Sequence, residues 1–275
     1  MNEENVEMLR KTAEKAKDLN PEIIFFDIGA RDGLSKSWDY LAKQGLVKAY
    51  GFDPAKDHVK DLIKKDGHVS YLPFALGEEN GTKTLVKTFM PGCSSFLKPN
   101  LELLKNYPCH KIFEIVGYEE NIEVQTIEYV ITEGLAPAPH FLKIDTQGFE
   151  LPILKGASTI LSNVIGIQLE TQFKHMYEGQ ALFPEVKEFL EGHGFILRSL
   201  EVNGPYEGEF FEADAYFSKK PKLDDDLLLI RLWQEASEIK SPKFLSQMDD
   251  WISEWKEYLT EDQIQLRELL FGSIK

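Results

Sequence analysis

Apolar and polar positions alternate along the chain with two different periods. Residues 3–19 carry the spacing of a polar amphipathic helix, closed by Asn20 and Pro21. From residue 22 short apolar runs alternate with helical stretches at βα spacing, which predicts a parallel sheet. The run Ile23, Ile24, Phe25 and Phe26 predicts a buried strand, with a turn over 27–33 and a helix over 37–44 behind it. A second strand over 47–52 ends at Asp53 and Pro54, a helix over 58–65 follows, and 69–75 reads as a third strand. Residues 81–125 are less regular: 82–89 and 122–126 read as strands around a short helix over 101–107. Alternation then resumes. A strand over 141–144 meets Asp145, a helix spans 150–161, a strand over 164–169 meets Glu170, and a helix spans 184–191. Segments 195–200 and 213–217 read as a closing antiparallel pair. The fold class this predicts is α/β: a doubly wound, Rossmann-like sheet, mostly parallel, with an antiparallel closing strand.

After Pro221 the pattern is helical only. Phe244, Leu245, Met248, Trp251, Ile252, Trp255 and Leu259 follow one buried face, and Thr260 with Gln263 forms a capping box for a last helix. Trp233, Trp251 and Trp255 read as core residues. The chain thus divides into an N-terminal helix over 1–21, a main domain over 22–220 and a helical extension over 221–275. The main domain is expected to fold without the extension, exposing the apolar surface that the helices cover. That surface belongs either to the domain or to a second copy of the chain, which leaves a homodimer through the C-terminal helices open.

Composition narrows the class of function. With 43% hydrophobic and 28% charged residues, 275 residues can bury a core without staples. A net charge of -15 disfavours nucleic acid as a partner, because such affinity comes largely from clustered Lys and Arg. Cys93 and Cys109, the two cysteines, make neither a disulfide framework nor a four-ligand zinc site, and read as free thiols in a reducing compartment. The N-terminus lacks the apolar core of a signal peptide, and no stretch approaches the roughly 18 apolar residues of a membrane helix. A cytoplasmic protein without membrane insertion is expected.

Candidate chemistry gathers at the strand ends. Asp27, Ile28, Gly29, Ala30, Arg31, Asp32 and Gly33 follow a buried strand, with two glycines four apart behind an acid. A dinucleotide fingerprint wants a third glycine to cradle a pyrophosphate. A cofactor carrying an amino acid and a ribose suits this turn better, although an ordinary strand-to-helix turn would look the same. Asp53 ends the second strand, where a carboxylate can accept two hydrogen bonds from ribose hydroxyls or cap the helix after Pro54. Asp145 and Glu170 end adjacent central strands, where open α/β sheets bind ligands. Asp145 could instead cap the next helix, and Glu170 could pair with Lys143. His175, in a loop over 173–180, completes the candidate general bases.

Read in order, GARDG, GFDP, LPFALGE, GCSSF, EVQTIEYVI, FLKIDTQGFELPILKGA and IQLETQFKHMYEGQALFPEVKEFLEGHGF resemble the FkbM family of S-adenosylmethionine-dependent methyltransferases over residues 22–218. The resemblance implies a class I methyltransferase sheet, adenosylmethionine as donor, and methylation of a hydroxyl on a sugar, glycan or secondary metabolite. It implies that Asp27, Gly29 and Gly33, with the intervening Ala30 and Arg31, line the methionine end of the cofactor. Asp53 would hold the ribose, and Ala75 and Leu76 would lie near the adenine. The chain departs from the usual pattern at Arg31 (commonly Asn), Asp53 (Glu), and Thr146 and Gln147 (Val and Glu). The loops 92–96 and 177–180 are expected to border the acceptor pocket.

Methyl transfer from a sulfonium is an in-line displacement, so the protein mainly aligns acceptor and donor and removes a proton. Asp145, Glu170 and His175 are the candidate bases. Paired carboxylates at adjacent strand ends also leave open a divalent cation such as Mg²⁺, without a certain third ligand. Two other functions stay open at this level: a nicotinamide-dependent oxidoreductase on the same sheet, and a non-catalytic binding module. The missing third glycine weighs against the first, and the intact Gly29, Gly33, Asp53 and Asp145 against the second.

Overall fold

The computed structural model describes residues 3–20, 22–206, 209–221 and 224–239. The helical stripe from Phe244 to Leu259, with Trp251 and Trp255, and the capping box at Thr260 lie outside the described residues.

The chain opens with helix α1 (Glu3–Leu19), then β1 (Ile24–Ile28), α2 (Lys36–Lys43), β2 (Lys48–Phe52), α3 (Lys56–Lys65) and β3 (Val69–Leu72). Strands β4 (Ala75–Leu76) and β5 (Gly81–Thr88), the short helix α4 (Leu101–Leu104), strand β6 (Ile115–Gln125) and helix α5 (Ile127–Thr132) form an insertion. Beyond it come β7 (Phe141–Ile144), α6 (Glu150–Gly156), β8 (Gly166–Gln172), α7 (Phe183–Gly192), β9 (Phe195–Tyr206), β10 (Glu209–Lys219) and α8 (Asp224–Ala236).

Seven strands make the main sheet in the order β3-β2-β1-β7-β8-β10-β9. All neighbours run parallel from β3 to β8, and β10 runs antiparallel to both β8 and β9. This is the predicted doubly wound sheet with its antiparallel closing strand. Period-two alternation on β1 sorts its side chains between two cores. Phe25 joins Trp38, Leu41, Val59, Phe141 and Trp233 on one face, stacking on Trp38 at 4.0 Å between ring centroids. Ile24, Phe26 and Ile28 join Ile127, Ile153, Leu154, Val186 and Leu190 on the other.

Two findings depart from the sequence reading. The irregular stretch builds a second sheet, β4-β6-β5, with β4 parallel and β5 antiparallel to a β6 of eleven residues. Glu119, Glu120 and Asn121 in the middle of β6 are exposed and polar, so only its buried end, with Ile122 and Val124, shows the alternation read from the sequence. Helix α8 lies inside the predicted C-terminal extension, yet its Leu228, Leu229, Ile230, Leu232 and Trp233 belong to the same core as α1. Gly166 at the start of β8 is what admits it: a Cβ there would sit 2.6 Å from the Trp233 ring.

Candidate active site

Strand order reverses between β1 and β7, and a cleft lies beyond their carboxyl ends, where doubly wound sheets bind ligands. The cleft is lined by Gly29, Arg31, Asp53, Ala75, Leu76, Asp145 and Gln147, with Leu85 and the 91–96 loop closing it from the second sheet. Gly29, Arg31, Asp53, Ala75 and Leu76, predicted to bind the cofactor, therefore share one cavity with Asp145. Asp27, Ala30 and Gly33 do not line it. Asp27 lies within β1 rather than in the turn after it, and it is buried.

Local chemistry explains how the turn is held. Gly29 has φ +86°, and a Cβ there would lie 1.9 Å from the main-chain oxygen of Asp145. Its glycine is thus required first by the β1–β7 junction, beyond any need of a ligand for space. The Gly29 and Ala30 N–H groups both donate to the Phe52 carbonyl, tying the turn to the end of β2. Asp53 accepts the Ala55 N–H at Oδ1 (2.7 Å), which shapes the entry to α3. Burial raises the Asp53 carboxyl, against that N–H and the nearby charges of Arg31 and His58. Asp27 receives Lys143 Nζ at 3.3 Å on Oδ1, and its buried Oδ2 is unpartnered. Burial raises the Asp27 carboxyl; at Lys143 burial is outweighed by Asp27 and Asp145, and the ammonium is held above the ordinary lysine range.

The turn after β7 is organised by Glu150, the acid of the KID-x-x-G-x-E block. Its carboxylate accepts from Thr146 N–H (2.9 Å), Thr146 Oγ1 (3.0 Å) and Gly148 N–H (3.2 Å). Burial pushes Glu150 up to about 7 despite these donors. The two remaining glycines of the LGE and KGA motifs meet each other: a Cβ on Gly156 would strike the Gly77 carbonyl at 2.0 Å. Much of the FLKIDTQGFELPILKGA segment is therefore packing around the site rather than the site itself.

Asp145 and Glu170 do come together, but through a residue that sequence reasoning left without a role. Gln147 Nε2 donates to Asp145 Oδ1 at 3.2 Å and to Glu170 Oε2 at 2.8 Å. Glu170 also accepts from Gln172 Nε2 (3.1 Å), and burial together with Asp145 and Glu212 holds its carboxyl well above the usual range. Lys143 serves Asp27, and lies 3.9 Å from Asp145, rather than pairing with Glu170 as one reading allowed. His175 is exposed on its loop and does not line the cleft; its carbonyl accepts from Asn100. Gly92, Ser94, Ser95 and Phe96 line the cleft as expected, whereas Tyr177 and Gln180 are buried and brace it from behind. Cys93 and Cys109 are free, and burial pushes the Cys93 thiol up to about 12.

Among the described residues no group of three or more His, Cys, Asp and Glu side chains is placed to hold a metal ion. No helix among them is long and apolar enough to cross a membrane.

No curated protein sequence matches the chain. Among solved structures, magnesium protoporphyrin IX methyltransferase from Synechocystis PCC 6803 with bound SAM is 11% identical, with 78% of this chain and 79% of that one covered and a TM-score of 0.40. The 1,6-didemethyltoxoflavin-N1-methyltransferase of Burkholderia thailandensis is 10% identical over 78% and 79%, with a TM-score of 0.37. An rRNA methylase from Streptococcus thermophilus is 12% identical over 80% and 99%, also at 0.37. The model of the methyltransferase FkbM domain matches residues 27–197, more than half of the chain, and the chain belongs to that family.

Proposed function

We propose that the protein is an S-adenosylmethionine-dependent methyltransferase that methylates a hydroxyl on a sugar, glycan or secondary metabolite. The observation that carries the cofactor is the shared cleft: Gly29, Asp53, Ala75, Leu76 and Asp145, drawn from four separate strand ends, line one cavity. The residues fit adenosylmethionine. Asp53 lines the cleft and uses only Oδ1 on Ala55 among the described residues, which suits its carboxylate to ribose hydroxyls, and Ala75, Leu76, Leu85, Phe96 and Phe149 supply apolar walls for a flat base. Asp27, buried within β1 and hydrogen-bonded to Lys143, supports the strand end from which Gly29 enters the cleft. When bound, the cofactor supplies an activated methyl group on a sulfonium.

The chain's own contribution is alignment and proton removal. Asp145, lining the cleft with a half-exposed side chain, accepts the acceptor's proton, and Glu170 lies one amide away. Positioning supplies roughly 7–11 kcal/mol of barrier lowering, and a general base about 10²–10⁴-fold in rate. A small acceptor or glycan, rather than nucleic acid, suits a chain of net charge -15.

Calorimetry with adenosylhomocysteine tests the cofactor. Micromolar binding is expected, near -8 kcal/mol. Asp53→Ala should weaken it at least about tenfold, the scale of one lost charge-assisted hydrogen bond. Asp145→Asn should bind the cofactor and lose at least about tenfold in turnover, the low end of what a general base supplies. A wild type that ignores adenosylhomocysteine and binds NAD would sink the proposal.

A further inference from the structure

Two carboxylates that share a site repel each other, and they hold one geometry only if something positive or hydrogen-bonding stands between them. Between Asp145 and Glu170 that object is the Gln147 amide, and both of its N–H bonds are spent, one on each carboxylate. Its other end is also occupied. Tyr177 Oη lies 2.9 Å from Gln147 Oε1 and 2.8 Å from the Cys93 carbonyl oxygen.

Heavy-atom positions do not by themselves say which end of an amide is oxygen. Here the surroundings do. The reverse orientation would point Oε1 at two carboxylates, taking this donor from Asp145 and leaving Glu170 with Gln172. With Nε2 facing inward, Oε1 meets the Tyr177 hydroxyl, whose single proton is shared between Oε1 and the Cys93 carbonyl oxygen. The backbone is committed to the arrangement as well: Gln147 adopts φ +57°, left-handed for a residue with a side chain. Tyr177 is fully buried and packs directly on this turn, since a Cβ on Gly148 would lie 3.3 Å from its ring. Through Cys93 the same hydroxyl reaches the 92–96 loop on the opposite side of the cleft.

We propose that Gln147 and Tyr177 are a positioning pair for this site: the Tyr177 hydroxyl anchors the outer end of the amide, whose inward end is set by the two carboxylates, and the amide so held keeps the Asp145 and Glu170 carboxylates side by side without a cation between them. This rests on the methyltransferase reading, in which Asp145 takes the acceptor's proton. The remaining charged neighbours do not do the same job. Lys143 is 3.9 Å from Asp145 and closer to Asp27, while Glu150, Glu212 and Asp214 add only negative charge around Glu170.

The test uses the full chain and three probes that need no acceptor. In protein labelled with ¹⁵N at glutamine side chains, the Gln147 amide should give one resolved, slowly exchanging pair of proton signals, identified by its loss in Gln147→Glu. Tyr177→Phe should broaden that pair or move it to the position of exposed glutamines, while still binding adenosylhomocysteine. Gln147→Glu places a third carboxylate beside the other two, and oxygen-rich carboxylate sets bind divalent cations. It should therefore take up Mn²⁺, read by loss of the free-ion electron paramagnetic resonance signal, at least about tenfold more tightly than wild type. An unmoved Gln147 signal in Tyr177→Phe overturns the pair. So does a wild type that binds Mn²⁺ as tightly as Gln147→Glu, or a Gln147→Glu variant that binds adenosylhomocysteine and gains no Mn²⁺ affinity. Failure of wild type to bind adenosylhomocysteine is a different result, and it removes the methyltransferase reading itself.

Discussion

At the scale of single residues, two glycines of the same turn separate backbone strain from steric exclusion. Gly29 and Gly33 have nearly the same left-handed φ, +86° and +78°, which costs a residue with a Cβ about 1–2 kcal/mol. Around Gly33 a Cβ would meet only ordinary contacts, 3.5 Å from Asp66 and Tyr71 side chains, whereas at Gly29 it would be driven into the Asp145 carbonyl. Gly33→Ala is therefore expected to lose only the strain, and Gly29→Ala distinctly more together with adenosylhomocysteine binding. Urea unfolding of both variants checks this, and equal midpoints would refute it. The same residues mark how far the sequence could be read. Asp53 and Asp145 were legible because each is the acid that closes a short, mostly apolar run, so its place at a strand end is set by pattern alone. Gln147 was not: its meaning lies in Tyr177, thirty residues away across a loop, and no local spacing encodes that hydrogen bond. Glu150 carried a usable signal, a hydroxyl residue four positions ahead of an acid at a helix start, but it reports the turn's architecture.

At the scale of elements, the parallel ladder was readable because both faces of its strands are buried and the runs are nearly all apolar. What hid from the pattern was local. Helix α5 spans six residues, Ile, Glu, Tyr, Val, Ile and Thr, rich in the branched side chains that favour strands; it is set by the Thr126 hydroxyl accepting the Tyr129 N–H. The junction of β1 with β7 holds another such device. The Ile24 N–H donates to His140 Nδ1 at 3.1 Å, and the His140 N–H donates back to the Ile24 carbonyl at 2.9 Å. Burial lowers the His140 pKa below the ordinary 6.5, so the folded protein prefers the neutral ring, the only form that can accept this bond. The contribution is therefore present above 6.5 and is lost as pH falls through the folded value, because the unfolded chain binds the proton first. Thermal unfolding of wild type should show an added loss of stability below about pH 6.5. His140→Asn, whose amide oxygen can accept the same N–H without titrating, should lack that step. Parallel profiles for the two proteins would place the acid sensitivity elsewhere.

At the scale of the molecule, the question is where the domain ends. The change of pattern at Pro221 suggests a main domain that folds without the C-terminal residues. Helix α8 argues otherwise, because it is not laid over a finished core but completes one. Trp233 sits against Gly166 at the root of β8, and Leu228, Leu229, Ile230 and Leu232 fill the same cluster as Leu9, Ala13 and Ala16 of α1. Five large apolar side chains at about 1.5–3 kcal/mol each amount to on the order of 10 kcal/mol as an upper bound. Net stability of a domain is itself only about 5–15 kcal/mol. A cut after Lys220 should therefore do more than expose surface: the product is expected to lose cooperative unfolding and adenosylhomocysteine binding. A cut after Ile239 retains α8 and should keep both. The second cut also asks what the distal stripe around Trp251 and Trp255 does. If light scattering finds a dimer in the full chain and a monomer after the cut at Ile239, the stripe is an assembly arm; a monomer in both makes it an intrachain flank. A soluble, cooperative and cofactor-binding fragment ending at Lys220 would show that α8 is dispensable and that this account of the core is wrong.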